Sequence, residues 1–105
     1  YSNPQELIDA TFAQLRKDAV MVNLEVEVDG SMELDLQVEA VSNWLFDIVR
    51  NRPNELSGLL YRVDFIHAKA QNILAKFSLK EACDELAIQI LRREFAKVML
   101  RRDYS

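Results

Sequence analysis

The stretch that decides the fold is SLKEACDELAIQILRREFAKVMLRR, residues 78–102. Ser78 and Glu81 have the spacing of a capping box, in which Glu81 reaches back to the Ser78 N–H. Apolar residues then recur at helical spacing in two stripes, the second rotated around the axis. The stripes are Leu79, Cys83, Leu86, Ala87 and Ile90, followed by Leu91, Phe95, Val98 and Met99. The pattern predicts a long helix that ends at about Arg102. An apolar arc this wide indicates that the helix is central in the fold or that its far end packs on another chain.

Two further helices are predicted in the first half of the chain. The first is capped by Ser2 or Asn3, has Pro4 in its first turn, and ends between residues 18 and 20. The second starts at Leu34 or Val38 and ends at about residue 50, because Pro53 cannot continue it.

Two short helices are predicted between Pro53 and the long last helix. Asn54 can cap the first of them, which carries Leu56, Leu59, Leu60 and Val63. Asp64 can cap the second, with Ile66, Ala70, Ile73, Leu74 and Phe77 on one side.

Between the first and second helices, the spacing of the apolar residues changes from a helical period to a period of two. Apolar residues at 22, 24, 26 and 28 alternate with polar ones, and Asp29-Gly30-Ser31 is a turn signal. A hairpin with this three-residue loop would pair Val26 with Leu34. The alternative is one extended segment that runs into the second helix. We therefore predict a mainly α single domain over residues 1–105, a compact bundle of four to five helices with residues 22–36 extended or as a small β-hairpin.

Composition bounds the class of protein. A chain of 105 residues that is 50% hydrophobic can form one domain with a real core. No apolar run approaches the ~20 residues of a membrane helix, so no membrane partner is expected. Cys83 is the only cysteine, which fits a reducing, cytoplasmic setting.

Charge is distributed unevenly along the chain, whose net charge is −4. Residues 18–47 contain no Lys or Arg, and their acids are Asp18, Glu25, Glu27, Asp29, Glu33, Asp35, Glu39 and Asp47. From residue 50 onward basic residues outnumber acidic ones. The two halves can face each other within the fold or across a dimer.

No catalytic, cofactor or metal motif is recognisable. The acids from Glu25 to Glu33 have part of the spacing of a calcium loop, but Leu36 stands where the bidentate acid belongs. Their pattern indicates a solvated face instead. Cys83 and His67, the only residues of their types, are predicted to serve packing.

Glu94 falls inside the apolar arc of the last helix, and a buried carboxylate needs a partner. Arg62 or His67 could provide it. An alternative function is therefore a small-ligand site in the bundle, formed by Tyr61, Arg62, His67 and Glu94.

A second alternative is a nucleic-acid-binding regulator that uses the basic C-terminal helix. Its basic residues are Arg92, Arg93, Lys97, Arg101 and Arg102. Cations near a helix C-terminus also complement its dipole. The pI of about 5.0 argues against nucleic acid as the partner.

The segment Leu59-Leu60-Tyr61-Arg62-Val63-Asp64, followed by a helix and then by residues 90–98, resembles a group of small uncharacterised bacterial proteins. These share an LLYR segment followed by Val or Ile and Asp, and a related last helix. The resemblance covers roughly the second half of the chain. It implies a helical domain and carries no activity.

The function we expect is non-enzymatic protein–protein interaction, with self-association into a homodimer. Apolar surface on the last helix would meet a partner, and the charged segments would set orientation. The contact residues expected on one side are Phe95, Val98, Met99, Arg101 and Arg102, and on the other Glu25, Glu27, Glu33 and Asp35.

Overall fold

The computed structural model describes residues 3–28, 30 and 32–104, with side chains as far as residue 101. Five helices account for most of these residues, so the mainly helical prediction is confirmed. They are α1 (Pro4–Val20), α2 (Leu34–Asn51), α3 (Pro53–Val63), α4 (His67–Lys76) and α5 (Leu79–Tyr104).

Helix α5 is the centre of the fold and contacts the other four helices. Its first apolar stripe is buried among them, with Cys83, Leu86 and Ile90 fully enclosed. The Ser78 hydroxyl donates to the Glu81 carboxylate at 2.6 Å and accepts from the Glu81 N–H at 3.4 Å, so the two residues pair through the Ser78 hydroxyl, whereas the prediction placed the Glu81 side chain on the Ser78 N–H. Across the helices described, no stretch combines the length and the apolar character needed to cross a bilayer.

The first two helices begin within the predicted limits. The Asn3 side chain accepts a hydrogen bond from the Glu6 N–H at 2.8 Å, and Pro4 occupies the first turn. Helix α2 starts at Leu34, the earlier of the two predicted positions. Leu36 is therefore helical and exposed, and the prediction that it is extended is wrong.

The predicted cap of α4 is also wrong. Asp64 has φ 67° and ψ 45°, a left-handed conformation that closes α3, and its N–H donates to the Leu60 and Tyr61 carbonyls. Aspartate tolerates this conformation better than most residues, which is why it ends a helix here. Helix α4 begins three residues later, at His67.

The predicted β-hairpin is not seen. Within the described residues no strand pairs with another, and Asp29 and Ser31 of the predicted turn lie outside them. The period-two pattern instead marks burial: Leu24 and Val26 are buried while Glu25 and Glu27 are exposed. The connection lies against the bundle, and the Leu24 N–H donates to the Ala19 carbonyl at 2.9 Å. A hairpin gains little when one of its segments can extend a helix instead.

Leu24→Ala should lower the free energy of unfolding by about 3 kcal/mol, because it leaves a cavity where the buried Leu24 side chain packs. Glu25→Ala, one residue along, should change it by less than about 0.5 kcal/mol. Urea titration followed by circular dichroism measures both. Equal, small effects would mean that the connection does not pack on the helices.

Candidate functional site

An apolar groove of about 360 Å³ lies between α1, the first turns of α2 and the middle of α5. Its lining residues are Ile8, Thr11, Phe12, Leu34, Val38, Ile88, Leu91, Arg92 and Phe95. Leu34 is 48% exposed and Phe95 41% exposed, on opposite walls. Large apolar side chains grouped at one surface are typical of a protein interaction site.

Charges of both signs border this groove. Arg92 lines its α5 wall. Glu33 and Asp35 flank Leu34 at the start of α2, where both are exposed. Acidic groups at a helix N-terminus are stabilised by the helix dipole, so they also have a structural role. Arg92 is the charged residue among those that line the groove, and the two acids adjoin Leu34 at the start of α2.

The contact residues predicted on the last helix are divided by the fold. Phe95 lines the groove, but Val98 is buried within the bundle and Met99 is half-buried. Val98 is therefore corrected from a surface contact to a core residue: α1 covers this side of α5. Arg101 is exposed in a separate shallow cleft beside Lys17. The Arg102 side chain lies outside the described part of the chain.

The four predicted acidic contacts are also divided. Glu33 and Asp35 are exposed on either side of Leu34 in sequence, and only Leu34 lines the groove. Glu25, by contrast, lines a cleft with Asp47 and Arg52 near the other end of α2. Glu27 is exposed on the connection between α1 and α2. Of the four acids, the two at the start of α2 are next in sequence to a residue, Leu34, that lines the groove with Phe95.

The alternative ligand residues are not brought together around a cavity. The side chains of Tyr61, Arg62 and His67 are exposed, and His67 is hydrogen-bonded to Gln71 at 3.0 Å. Glu94 is 0% exposed. The expected pairing of Glu94 with Arg62 or His67 is wrong, because its charged neighbours come from α1 and from α5 itself.

Glu94 belongs to a buried cluster with Asp18 and Lys97. The Lys97 ammonium lies 2.7 Å from Asp18 Oδ2 and 3.1 Å from Glu94 Oε1, and it donates to the Arg62 carbonyl at 2.9 Å. Gln14 donates to Asp18 Oδ1 at 3.1 Å. Lys97 is within hydrogen-bond distance of Glu94 Oε1, but the angle is poor, and neither Glu94 oxygen has a well-formed hydrogen bond from the described donors.

Protonation differs between the two carboxyl groups. Burial raises the pKa of Glu94 to about 8. A hydrogen bond and repulsion from Asp18 act in the same direction, and the nearby Lys97 ammonium opposes them only in part. Burial also opposes ionisation of Asp18, but hydrogen bonds from Glu94 and Lys97 hold its pKa below its ordinary value. At neutral pH the cluster therefore contains a neutral Glu94 and an ionised Asp18.

Sequence reasoning found Glu94 but missed Asp18. The signal was available, since Asp18 lies three residues after Leu15 and seven after Thr11, on the face of α1 that is buried. Cys83 is buried, as predicted, and burial raises the pKa of its thiol, which makes it a poor nucleophile. In the described residues no group of three or more His, Cys, Asp or Glu is placed to hold a metal ion.

Comparisons with protein-family models, curated proteins and solved structures gave no match to this chain.

Lys97→Met should lower the free energy of unfolding by about 3 kcal/mol at pH 7, because it leaves the Asp18 carboxylate buried without its cation. Lys80→Met is the matched control on the same helix. Lys80 pairs with Asp84 where both side chains are 51% exposed, so its loss should cost less than about 1 kcal/mol. Thermal and urea unfolding compare the two; similar costs would contradict the buried role of Lys97.

Proposed function

We propose that the chain is a non-enzymatic protein–protein interaction module that self-associates through the apolar groove. The observation that carries this proposal is the grouping of exposed Leu34, Ile88 and Phe95 at one surface. Burying these side chains against a partner would gain roughly 25 cal/mol for each Å² of apolar area removed from water.

The arrangement of charge supports a second copy as the partner. In a two-fold symmetric dimer the same patch meets itself, so its charged edges must be self-complementary. Arg92 lies on one wall of the groove, and Glu33 and Asp35 adjoin Leu34 of the other wall in sequence. A two-fold axis that runs along the groove would bring Arg92 of one subunit toward the start of α2 in its partner. Such pairs select orientation and speed encounter more than they add affinity.

The alternative functions have less support. The residues of the small-ligand alternative are dispersed, and Glu94 does not line the groove. The exposed Arg101 beside Lys17 would suit the nucleic-acid alternative, but the net charge of −4 on the chain argues against binding a polyanion. A buried, lone cysteine is compatible with our expectation of a cytoplasmic location.

Phe95→Asp should convert a dimer into a monomer, because it places a charge in the apolar contact. Phe77→Asp is the matched control: Phe77 is 40% exposed, against 41% for Phe95, and lies at the end of α4 away from the groove. Light scattering after size-exclusion chromatography should give twice the 12.2 kDa chain mass for the native chain and for the control. A native chain that is monomeric at both low and 1 M salt would overturn self-association.

The charged edges are tested by exchanging their signs. Arg92→Glu should raise the dimer dissociation constant about tenfold, since it sets like charges opposite each other. Adding Asp35→Arg to that variant should recover most of the loss. The native dimer should weaken as salt rises to 1 M, because exposed pairs are screened. If the double variant dissociates as readily as Arg92→Glu alone, Arg92 and Asp35 do not meet across the interface.

A further inference from the structure

The contact between α1 and α5 contains a carboxyl group whose hydrogen-bonding needs are met in only one of its two protonation states. Glu94 is fully buried, and no hydrogen bond from a described donor reaches either of its oxygens. An ionised Glu94 would thus be a buried acceptor with only an ion-pair contact to Lys97. A protonated Glu94 has an O–H, and the Asp18 carboxylate is the acceptor beside it.

The surroundings of Glu94 favour that second state. Asp18 faces it from α1, and Lys97 faces it from α5. From α3 the group nearest this cluster is the neutral Arg62 carbonyl, which accepts from Lys97. One cation therefore serves two carboxyl groups, and its hydrogen bonds go to Asp18 and Arg62. A second negative charge at Glu94 would have no cation of its own.

We propose that Asp18 and Glu94 form a proton-dependent clasp between α1 and α5, held by one proton that the two carboxyl groups share. When the proton leaves, two buried carboxylates face each other across the helix contact, and that contact is weakened. Lys97 is 18% exposed at its side chain, so the cluster is close enough to solvent to exchange protons. The clasp makes the stability of this domain respond to pH in the neutral range.

The direction of the response follows from the proton binding of the two states. Glu94 has an ordinary pKa of 4.5 in an unfolded chain and about 8 in the folded one. The proton's contribution is therefore complete below pH 4.5, declines as pH rises, and is lost above about pH 8. Asp18 acts in the opposite direction, since its folded pKa lies below 3.8, and affects stability only in more acidic solution.

Urea unfolding of the full chain at intervals from pH 5 to pH 9 tests the clasp. The unfolding equilibrium constant should rise by up to tenfold per pH unit as far as about pH 8. In Glu94→Gln the amide N–H can donate to Asp18 at every pH, so this slope should vanish and the variant should exceed the native chain in stability at pH 9. Glu39→Gln, an exposed substitution on α2, is the control and should keep the native slope. A Glu94→Gln slope equal to the native slope overturns the proposal.

A second measurement uses the native chain alone, in case the variant does not fold. The carbon-13 chemical shift of the Glu94 carboxyl group reports its titration directly. A midpoint near 8 is expected, and a midpoint near 4.5 overturns the clasp. Amide hydrogen exchange at pH 9 gives a further comparison. The amides of α1 should exchange faster in the native chain and in Glu39→Gln, where Glu94 can ionise, than in Glu94→Gln, where it cannot.

Discussion

The rest of the structure depends on the burial of α5, a helix whose apolar arc is too wide for one neighbouring helix to cover. Its 26 residues span about 39 Å at 1.5 Å per residue, which matches the longest dimension of the molecule, 39 Å. Helices α1 and α2 have 17 and 18 residues, and α3 and α4 are shorter. The chain encloses α5 by packing all four around it, and the connection from Leu24 to Val28 closes part of the remaining surface.

This constraint also explains why ionisable groups are buried. Once α5 is enclosed along most of its length, polar residues within its apolar arc must find partners inside the bundle. Glu94 finds Asp18 on α1, and Lys97 reaches both from the margin of the core. The Ser42 hydroxyl, fully buried on α2, donates to the exposed Asp84 carboxylate on α5, a polar link at the edge of the core. Each link joins α5 to a helix far away in sequence, so these polar contacts select one arrangement of helices among those that would bury similar apolar area.

Helical periodicity predicted the central helix, the capped start of α1 and the limits of α2, because these features depend on neighbours three or four residues apart. The errors arose where the outcome depends on distant residues. Residues 22–28 have the alternation of a strand, yet alternation only requires that one face be covered, and helices cover it here. An aspartate such as Asp64 is suited both to the start and to the end of a helix. Here its carbonyl and carboxylate both contact Arg93 of α5, which supports its position at the end of α3. The candidate surface was predicted at Phe95 but not as a groove, since α1 and α2 supply its other wall.

The groove and the carboxyl pair are two results of the same mismatch between a wide apolar arc and a limited set of helices. Along the α5 face that includes Ile88, Leu91 and Phe95, the described residues of helices α1 and α2 make no close backbone contact with each other, and apolar side chains between them are left in contact with water. Farther along, α1 lies close enough to α5 to bury Glu94 and Val98. Covering the groove would require a further apolar surface, and our proposal is that a second copy of the chain supplies it. The carboxyl pair lies on the well-covered part of the same two helices, so a change in its protonation acts on the contact that supports one wall of the groove.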